Sequence, residues 1–350
     1  MAPDIAKIEV IAPNLKRRLS GVTATIVRLV PMQAGMIGIA ATGPGLPAHV
    51  PHLPLWRLFV LPRDRVRVWH ARRNTEMLLG LILTRLFRRR LKLLFTSASQ
   101  RRHSGYTRWL IARMDGVVAT SRKTAAYLER PPVVILHGID TEGFSPAADR
   151  AALRRRLGLP EGHAILGCYG RIRSQKGTDA FVEVALALLP GRPDVTALVM
   201  GRATEGHDGF LAGLKGKVSE AGLADRIRFL PEVPVHEIAD WYRVLDLYVA
   251  PQRWEGFGLT PIEAMACGVP VVATRVGAFE EIVTGDTGTL VPPGDIHALA
   301  DAIAPWLDAP ARRRAAGAAA LARVRSTFRI EDEAASLVAV YRRLLAGERW

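Results

Sequence analysis

The chain has 350 residues, 49% of them hydrophobic and 7% aromatic, which excludes a disordered protein and is too long for one ordinary core. Its net charge of +15 is unevenly placed: residues 1–138 hold 23 Lys and Arg against 6 Asp and Glu, a balance of +17, and residues 139–350 carry −2. A basic half beside a near-neutral half implies that one domain meets an anionic partner or surface, and the asymmetry exceeds what an arginine-rich proteome explains.

Residues Met1 to Val10 lack the basic-then-apolar pattern of a signal peptide and read as a strand. The first half then offers short β-branched runs at Ile8 to Ala12, Ile37 to Thr42, Arg65 to Trp69, Leu91 to Thr96, Gly116 to Thr120 and Val133 to Leu136. Between them, Met77 to Lys92 is a basic amphipathic stretch. Its apolar core, Met77 to Leu83, is the best apolar run in the chain, yet Arg85 and Arg88-Arg89-Arg90 keep it far below the roughly 18 residues of a spanning helix. A hinge is expected at Leu136-His137-Gly138-Ile139-Asp140 through Phe144-Ser145-Pro146.

The second half alternates strands and helices more cleanly. Strands are expected at 165–170, 196–201, 227–230, 247–251 and 270–274, with helices at about 178–189 and 210–221, near Leu299 to Leu307, and from Pro310 to Arg325. Apolar strands without polar alternation are those of a parallel sheet covered on both faces. A final amphipathic helix, Glu331 to Leu345, is expected to pack back toward the first domain. The division drawn is therefore 1–140, 141–330 and 331–350, with two Rossmann-like domains facing a central cleft. Cys168 and Cys267 stand alone in apolar runs, so neither a disulfide nor a metal site is expected and a reducing cytosol is the default.

Two loops carry chemistry. Gly170-Arg171-Ile172-Arg173-Ser174-Gln175-Lys176-Gly177 follows the first strand of the second domain, where Arg171 and Lys176 could hold a diphosphate or form an ordinary solvated basic loop. The run Glu255-Gly256-Phe257-Gly258-Leu259-Thr260-Pro261-Ile262-Glu263 puts one acid on a glycine-flanked loop and the second in the first turn of a helix. Acceptors for sugar or ribose hydroxyls and backbone donors for an anion would then converge. Thr260 to Glu263 also reads as a capping box with proline at the first helical position, which leaves Glu263 a purely structural alternative.

Residues about 135 to 300 resemble the nucleotide-binding half of the retaining glycosyltransferases of family 4, which have the GT-B fold. The resemblance is carried by Gly170-Arg171 with Lys176-Gly177, by Pro251 with Glu255-Gly256-Phe257-Gly258, by Glu263 through Thr274, by Gly277 with Glu280-Glu281-Ile282-Val283, and by Gly138-Ile139-Asp140 with Phe144 and Pro146. The family usually has asparagine where this chain has His137. The resemblance implies that Arg171 and Lys176 bind the donor diphosphate and Glu255 the hydroxyls of the transferred sugar. The amides of Gly256, Phe257, Gly258 and Leu259 would serve sugar and phosphates, Glu263 the ribose, and the Ser20-Gly21 loop would close over the phosphates.

The first half is similar to the mannosyltransferases of the lipopolysaccharide inner core. The matching segments are Ile11 to Asn14 with Lys16-Arg17-Arg18-Leu19-Ser20-Gly21-Val22-Thr23, and Phe95 to His103. This implies transfer of mannose from GDP-mannose to Kdo on a lipid A precursor by an enzyme lying peripherally on the inner membrane from the cytoplasmic side. Lys16, Arg17, Arg18, Arg101 and Arg102 would contact that anionic acceptor. Many members carry a histidine near the position of Ala98; His70 and His103 are the nearest candidates to replace it, each with a packed or solvated histidine as the alternative, and the acceptor-side base stays unassigned. No Asp-x-Asp pair occurs, so no metal cofactor is expected, and Arg171, Lys176 and the helix after Leu259 would supply the positive charge. Three other readings stand beside this one: the same fold with another nucleotide sugar or anionic acceptor, a nucleotide-sugar 2-epimerase, and a non-catalytic binder of anionic polymers. Few aromatics lie between the Arg clusters, so nucleic acid is not expected as a partner.

Overall fold

The structure, a computed structural model, describes residues 4–16 and 21–350. Its twelve strands are β1 (Val10–Pro13), β2 (Ile39–Thr42), β3 (Arg67–Ala71), β4 (Leu91–Ser97), β5 (Gly116–Ala119) and β6 (Val133–Val134), then β7 (Ala164–Tyr169), β8 (Val195–Met200), β9 (Ile227–Leu230), β10 (Leu247–Ala250), β11 (Val271–Thr274) and β12 (Gly288–Val291). They form two six-stranded sheets, ordered β2-β1-β3-β4-β5-β6 and β12-β11-β10-β7-β8-β9. Every pairing is parallel. Helices cover both faces of each sheet, which explains the uninterrupted apolar strands.

The chain divides into two compact units, 1–138 with 330–350, and 139–329. In the first, the helices Gly21–Gln33 and Ile330–Leu345 bury Ile26, Leu29, Leu337 and Tyr341 on one sheet face. The helices Asn74–Arg85 and Gly105–Ile111, with the 3-10 turn Leu55–Val60, bury Met77, Leu81, Leu110 and Leu58 on the other. Of the strand expected over Met1 to Val10, residues 1–3 lie outside the described residues, residues 5–7 form a turn, and the strand starts at Val10. Helix ends elsewhere extend beyond the sequence reading, as in Ile296–Asp308, where the Asp295 side chain caps the Ala298 N–H.

In the second unit the first strand, β7, lies between β8 and β10, so the chain reverses its direction of sheet growth between β7 and β10. Open α/β sheets bind ligands beyond the carboxyl ends of the strands at such a reversal. The loop after β7 carries Arg171 and Lys176, and the loop after β10 carries Glu255. In the first unit the corresponding reversal lies between β1 and β3, where Arg73 reaches Asn14 Oδ1 at 3.1 Å and the wholly buried Glu76 at 2.8 Å.

Candidate active site

The two loops of the second unit are locked together by backbone before any side chain acts. Gly177 has φ 70°, and a Cβ there would sit 1.9 Å from the Pro251 carbonyl oxygen. Only glycine fits both the left-handed conformation and this approach. The Arg253 N–H donates to the Gln175 carbonyl at 3.0 Å, and the Arg253 guanidinium forms a two-pronged pair with Asp179 at 2.7 and 2.8 Å. Gly258, at φ 89°, lies against the Phe279 ring and Glu255, and the Phe257 carbonyl accepts from the Ala278 N–H at 3.1 Å.

On this frame Lys176 Nζ donates to Glu255 Oε2, while Glu255 Oε1 accepts from the Gly256 N–H at 3.0 Å. Both side chains are less than one-fifth exposed. Arg171 is exposed, and it forms no ion pair among the described residues. The intervening Ile172 is buried and its N–H donates to the Arg202 carbonyl at 2.9 Å, so the extended segment presents Arg171 and Arg173 on the side opposite Ile172. The pKa of the Arg173 guanidinium is lowered by burial and by the neighbouring Arg171, against the attraction of Glu255. Arg173 is thus a third cation of the site that the sequence reading passed over, although the alternation Arg-Ile-Arg signals it.

Further along, the N–H groups of Gly258 and Leu259 meet no acceptor among the described residues. The helix that follows is Thr260–Ala266, with no side-chain cap; Thr260 is its first residue rather than its cap. The capping-box alternative for Glu263 therefore fails. Instead Tyr242 Oη donates to Glu263 Oε2 at 2.7 Å. Burial first and Glu263 second push the Tyr242 phenol well above its usual range, which keeps it a neutral donor. Tyr169, Tyr242 and Tyr248 pack edge-to-face with centroids 5.1 to 5.9 Å apart and fix that hydroxyl.

Beside the site, Cys168, Gly170, Arg171, Lys176, Thr178 and Gln252 line a small pocket. The Cys168 thiol is pushed up to about 12 by burial, so it is no nucleophile at neutral pH. Both cysteines are free and buried. Among the described residues no group of three or more His, Cys, Asp or Glu could hold a metal ion.

In the first unit, Gly21 opens the helix Gly21–Gln33, and open space surrounds the position of its absent Cβ. Lys16, Arg101 and Arg102 are exposed, and Arg17 and Arg18 lie outside the described residues, as does Ser20. His70 is no acceptor-side group: it is wholly buried, with Nδ1 2.7 Å from Tyr341 Oη and Nε2 2.6 Å from Thr96 Oγ1. His103 stays half-buried, 3.4 Å from Ser97 Oγ at the end of β4, and burial lowers its pKa. His137, the departure from asparagine, bonds Glu333 Oε1 at 2.7 Å through Nδ1.

A family model for glycosyl transferases group 1 matches residues 149–323, half of the chain, including the loops after β7 and β10. The chain belongs to this family. As a group 1 glycosyltransferase it is an enzyme, and its two parallel six-stranded sheets are the GT-B fold. It is 54% identical to the lipopolysaccharide core biosynthesis mannosyltransferase LpsB of Rhizobium meliloti (strain 1021), over 98% of this chain and 99% of that protein. It is 52% identical to the lipopolysaccharide core biosynthesis mannosyltransferase LpcC of Rhizobium leguminosarum bv. viciae, over 99% of each. Among solved structures, Anabaena HepE in complex with UDP superposes with a TM-score of 0.84, at 19% identity, over 96% of this chain and 100% of that one. The sequence's reading as a GT-B glycosyltransferase therefore stands on both fold and family.

Proposed function

We propose that this glycosyltransferase moves mannose from GDP-mannose to Kdo on a lipid A precursor during assembly of the lipopolysaccharide core, with retention at the anomeric carbon and without a metal. The enzyme works from the cytoplasmic side, peripherally bound to the inner membrane. The observation that carries the reading is the meeting of Lys176 with Glu255 at the strand reversal, Arg171 and Arg173 beside them. Fixed cations suit a diphosphate leaving group, and an adjacent carboxylate suits sugar hydroxyls. The mannose and the core acceptor are supported by two relatives above 50% identity along the whole chain, both named for that activity. The +17 balance of residues 1–138 suits an acceptor bearing carboxylate and phosphates.

A second reading keeps the site and changes the donor or the acceptor. Incubation with labelled GDP-mannose, UDP-glucose or UDP-galactose over a Kdo-bearing lipid A precursor, with products followed by mass, separates the two. A hexose added only from GDP-mannose supports the proposal; transfer from a UDP-sugar replaces it.

A further inference from the structure

Of the thirteen large hydrophobic side chains exposed among the described residues, twelve belong to the first unit; Val235 is the exception. Seven of the twelve, Leu55 among them, lie on two adjoining elements or at their ends. The 3-10 turn Leu55–Val60 buries Leu58 in the core and turns Trp56, Phe59 and Val60 outward. The helix Asn74–Arg85 buries Met77 and Leu81, and Gly80 lies so close to Trp69 that a Cβ would meet its ring at 2.6 Å. Leu78, Ile82 and Leu86 recur every four residues, so they share one face of this helix, away from the core. The two elements are joined: Phe59 packs edge-on against Phe87 at 4.9 Å, Arg63 donates to the Phe87 carbonyl, and Arg89 donates to the Phe59 and Leu61 carbonyls.

Isolated exposed leucines need no account, but an apolar cluster on one face, rimmed by charge, marks a contact surface. The rim is strongly basic. Residues 55–92 hold eleven Lys and Arg against Asp64 and Glu76, and Glu76 is wholly buried. Arg57 lies over the Trp56 ring at 5.4 Å, and Arg63, Arg85, Arg88 and Arg90 are exposed. Tryptophan with arginine at the border of an apolar strip is the chemistry of a lipid headgroup boundary. No helix among the described residues is long and apolar enough to cross a membrane.

We propose that this face, formed by residues 55–60 and 74–90, is the docking surface for an anionic lipid bilayer, with Trp56, Phe59, Val60, Ile82 and Leu86 entering the acyl boundary and the arginine rim lying among the phosphates. It deepens the membrane-surface part of the proposed function and rests on that reading. Arg89 is not part of the lipid contact. Its guanidinium ties the two elements together, so a variant that replaces all of Arg88, Arg89 and Arg90 confounds docking with local unfolding.

The test uses the full chain and sedimentation with vesicles of phosphatidylcholine, with and without phosphatidylglycerol. Trp56 and Leu86 are 62% and 74% exposed, so the pair Trp56→Ser with Leu86→Ser should fold normally. It should lower partitioning onto mixed vesicles about tenfold or more at low and at high salt, because apolar insertion is not screened. Arg85→Gln with Arg90→Gln should lower it roughly tenfold at low salt and much less at high salt. Val235→Ser is the control and should bind as the parent does. Unchanged GDP binding and melting temperature certify each fold. Parent-like partitioning of Trp56→Ser with Leu86→Ser overturns the proposal. So does a parent that forms a dimer lost in this variant, since the face would then meet a second copy. Vesicle binding with no sugar transfer from any nucleotide sugar sinks the proposed function and leaves the docking face; transfer without vesicle binding does the reverse.

Discussion

Lys176 Nζ donates to Glu255 Oε2, tying the loop after β7 to the loop after β10 at the reversal of the second sheet. In the proposed reaction the two residues serve different parts of the donor, Lys176 the diphosphate and Glu255 the sugar. A bound diphosphate competes for the ammonium and releases the carboxylate for hydroxyls, so the pair couples donor binding to sugar orientation. Glu255→Gln should lower kcat roughly 10²-fold while GDP affinity holds, because the lost interaction belongs to the reacting sugar. With Lys176→Ala added, the combined loss should fall short of the product of the single losses, as expected for residues in contact. Steady-state kinetics with calorimetry on GDP measures both. Normal turnover in Glu255→Gln would take this loop away from the sugar.

The leaving diphosphate accumulates negative charge, and Arg171 is the exposed cation best placed to follow it. Arg171→Ala should lower kcat by roughly 10²-fold, the scale for removing one preorganised electrostatic donor. Arg173→Ala should act in the same direction with a smaller effect, since its side chain is only partly exposed whereas Arg171 is exposed. With fixed cations and the Gly258 and Leu259 amides in place, saturating EDTA should leave the rate within about a factor of two. A rate that collapses in EDTA and returns with magnesium or manganese rejects the metal-free reaction.

Tyr242 offers a way to loosen Glu263 without touching it. Tyr242→Phe keeps the ring against Tyr169 and Tyr248 and removes the hydroxyl that donates to Glu263. The donor KM should rise several-fold with kcat little changed, as for interactions made equally in ground and transition states. One buried hydrogen bond contributes about 1 kcal/mol, so melting should fall only by a few degrees. Glu263→Gln should show the same KM-dominated pattern more strongly. If both variants are kinetically silent, Glu263 does not meet the ribose.

Much of this was legible in the sequence, because strand periodicity and glycine position are local properties. The runs Ile227 to Leu230 and Pro270 to Thr274 fall on β9 and β11, and Gly177 and Gly258 stand where left-handed backbone is required. What stayed hidden depends on contacts between distant segments. The Tyr242 donor to Glu263 lies 21 residues away, and the Tyr341 partner of His70 lies 271 away. Glu263 could be read as a capping residue only because its tyrosine partner has no local signature. His70 could be offered as an acceptor-side group for the same reason, since nothing near it in the chain announces its burial.

That burial makes a prediction about acid stability. Desolvation, followed by the nearby Arg72, lowers the His70 pKa well below 6.5, so the folded protein keeps this ring neutral while the unfolded chain protonates it near its ordinary value. Between those two values the unfolded state binds more protons, and stability rises with pH. The contribution is therefore complete above about pH 6.5 and is lost as pH falls toward the folded value. Glu333 adds a second stage. Burial raises its pKa, but His137, the Gly138 N–H and Arg28 together outweigh burial and hold it below 4.5. Its contribution is complete above its ordinary value and disappears as pH falls through the lowered one. Melting temperature against pH should accordingly decline in two steps, the first starting below about pH 6.5 and the second below about pH 4.5. His70→Gln, which retains polar atoms for Thr96 and Tyr341, should melt lower than the parent at neutral pH yet show a flatter slope across the first step alone. Glu333→Gln should leave the first step and flatten the second. An unchanged slope between about pH 5 and 6.5 in His70→Gln would mean that another histidine governs that window.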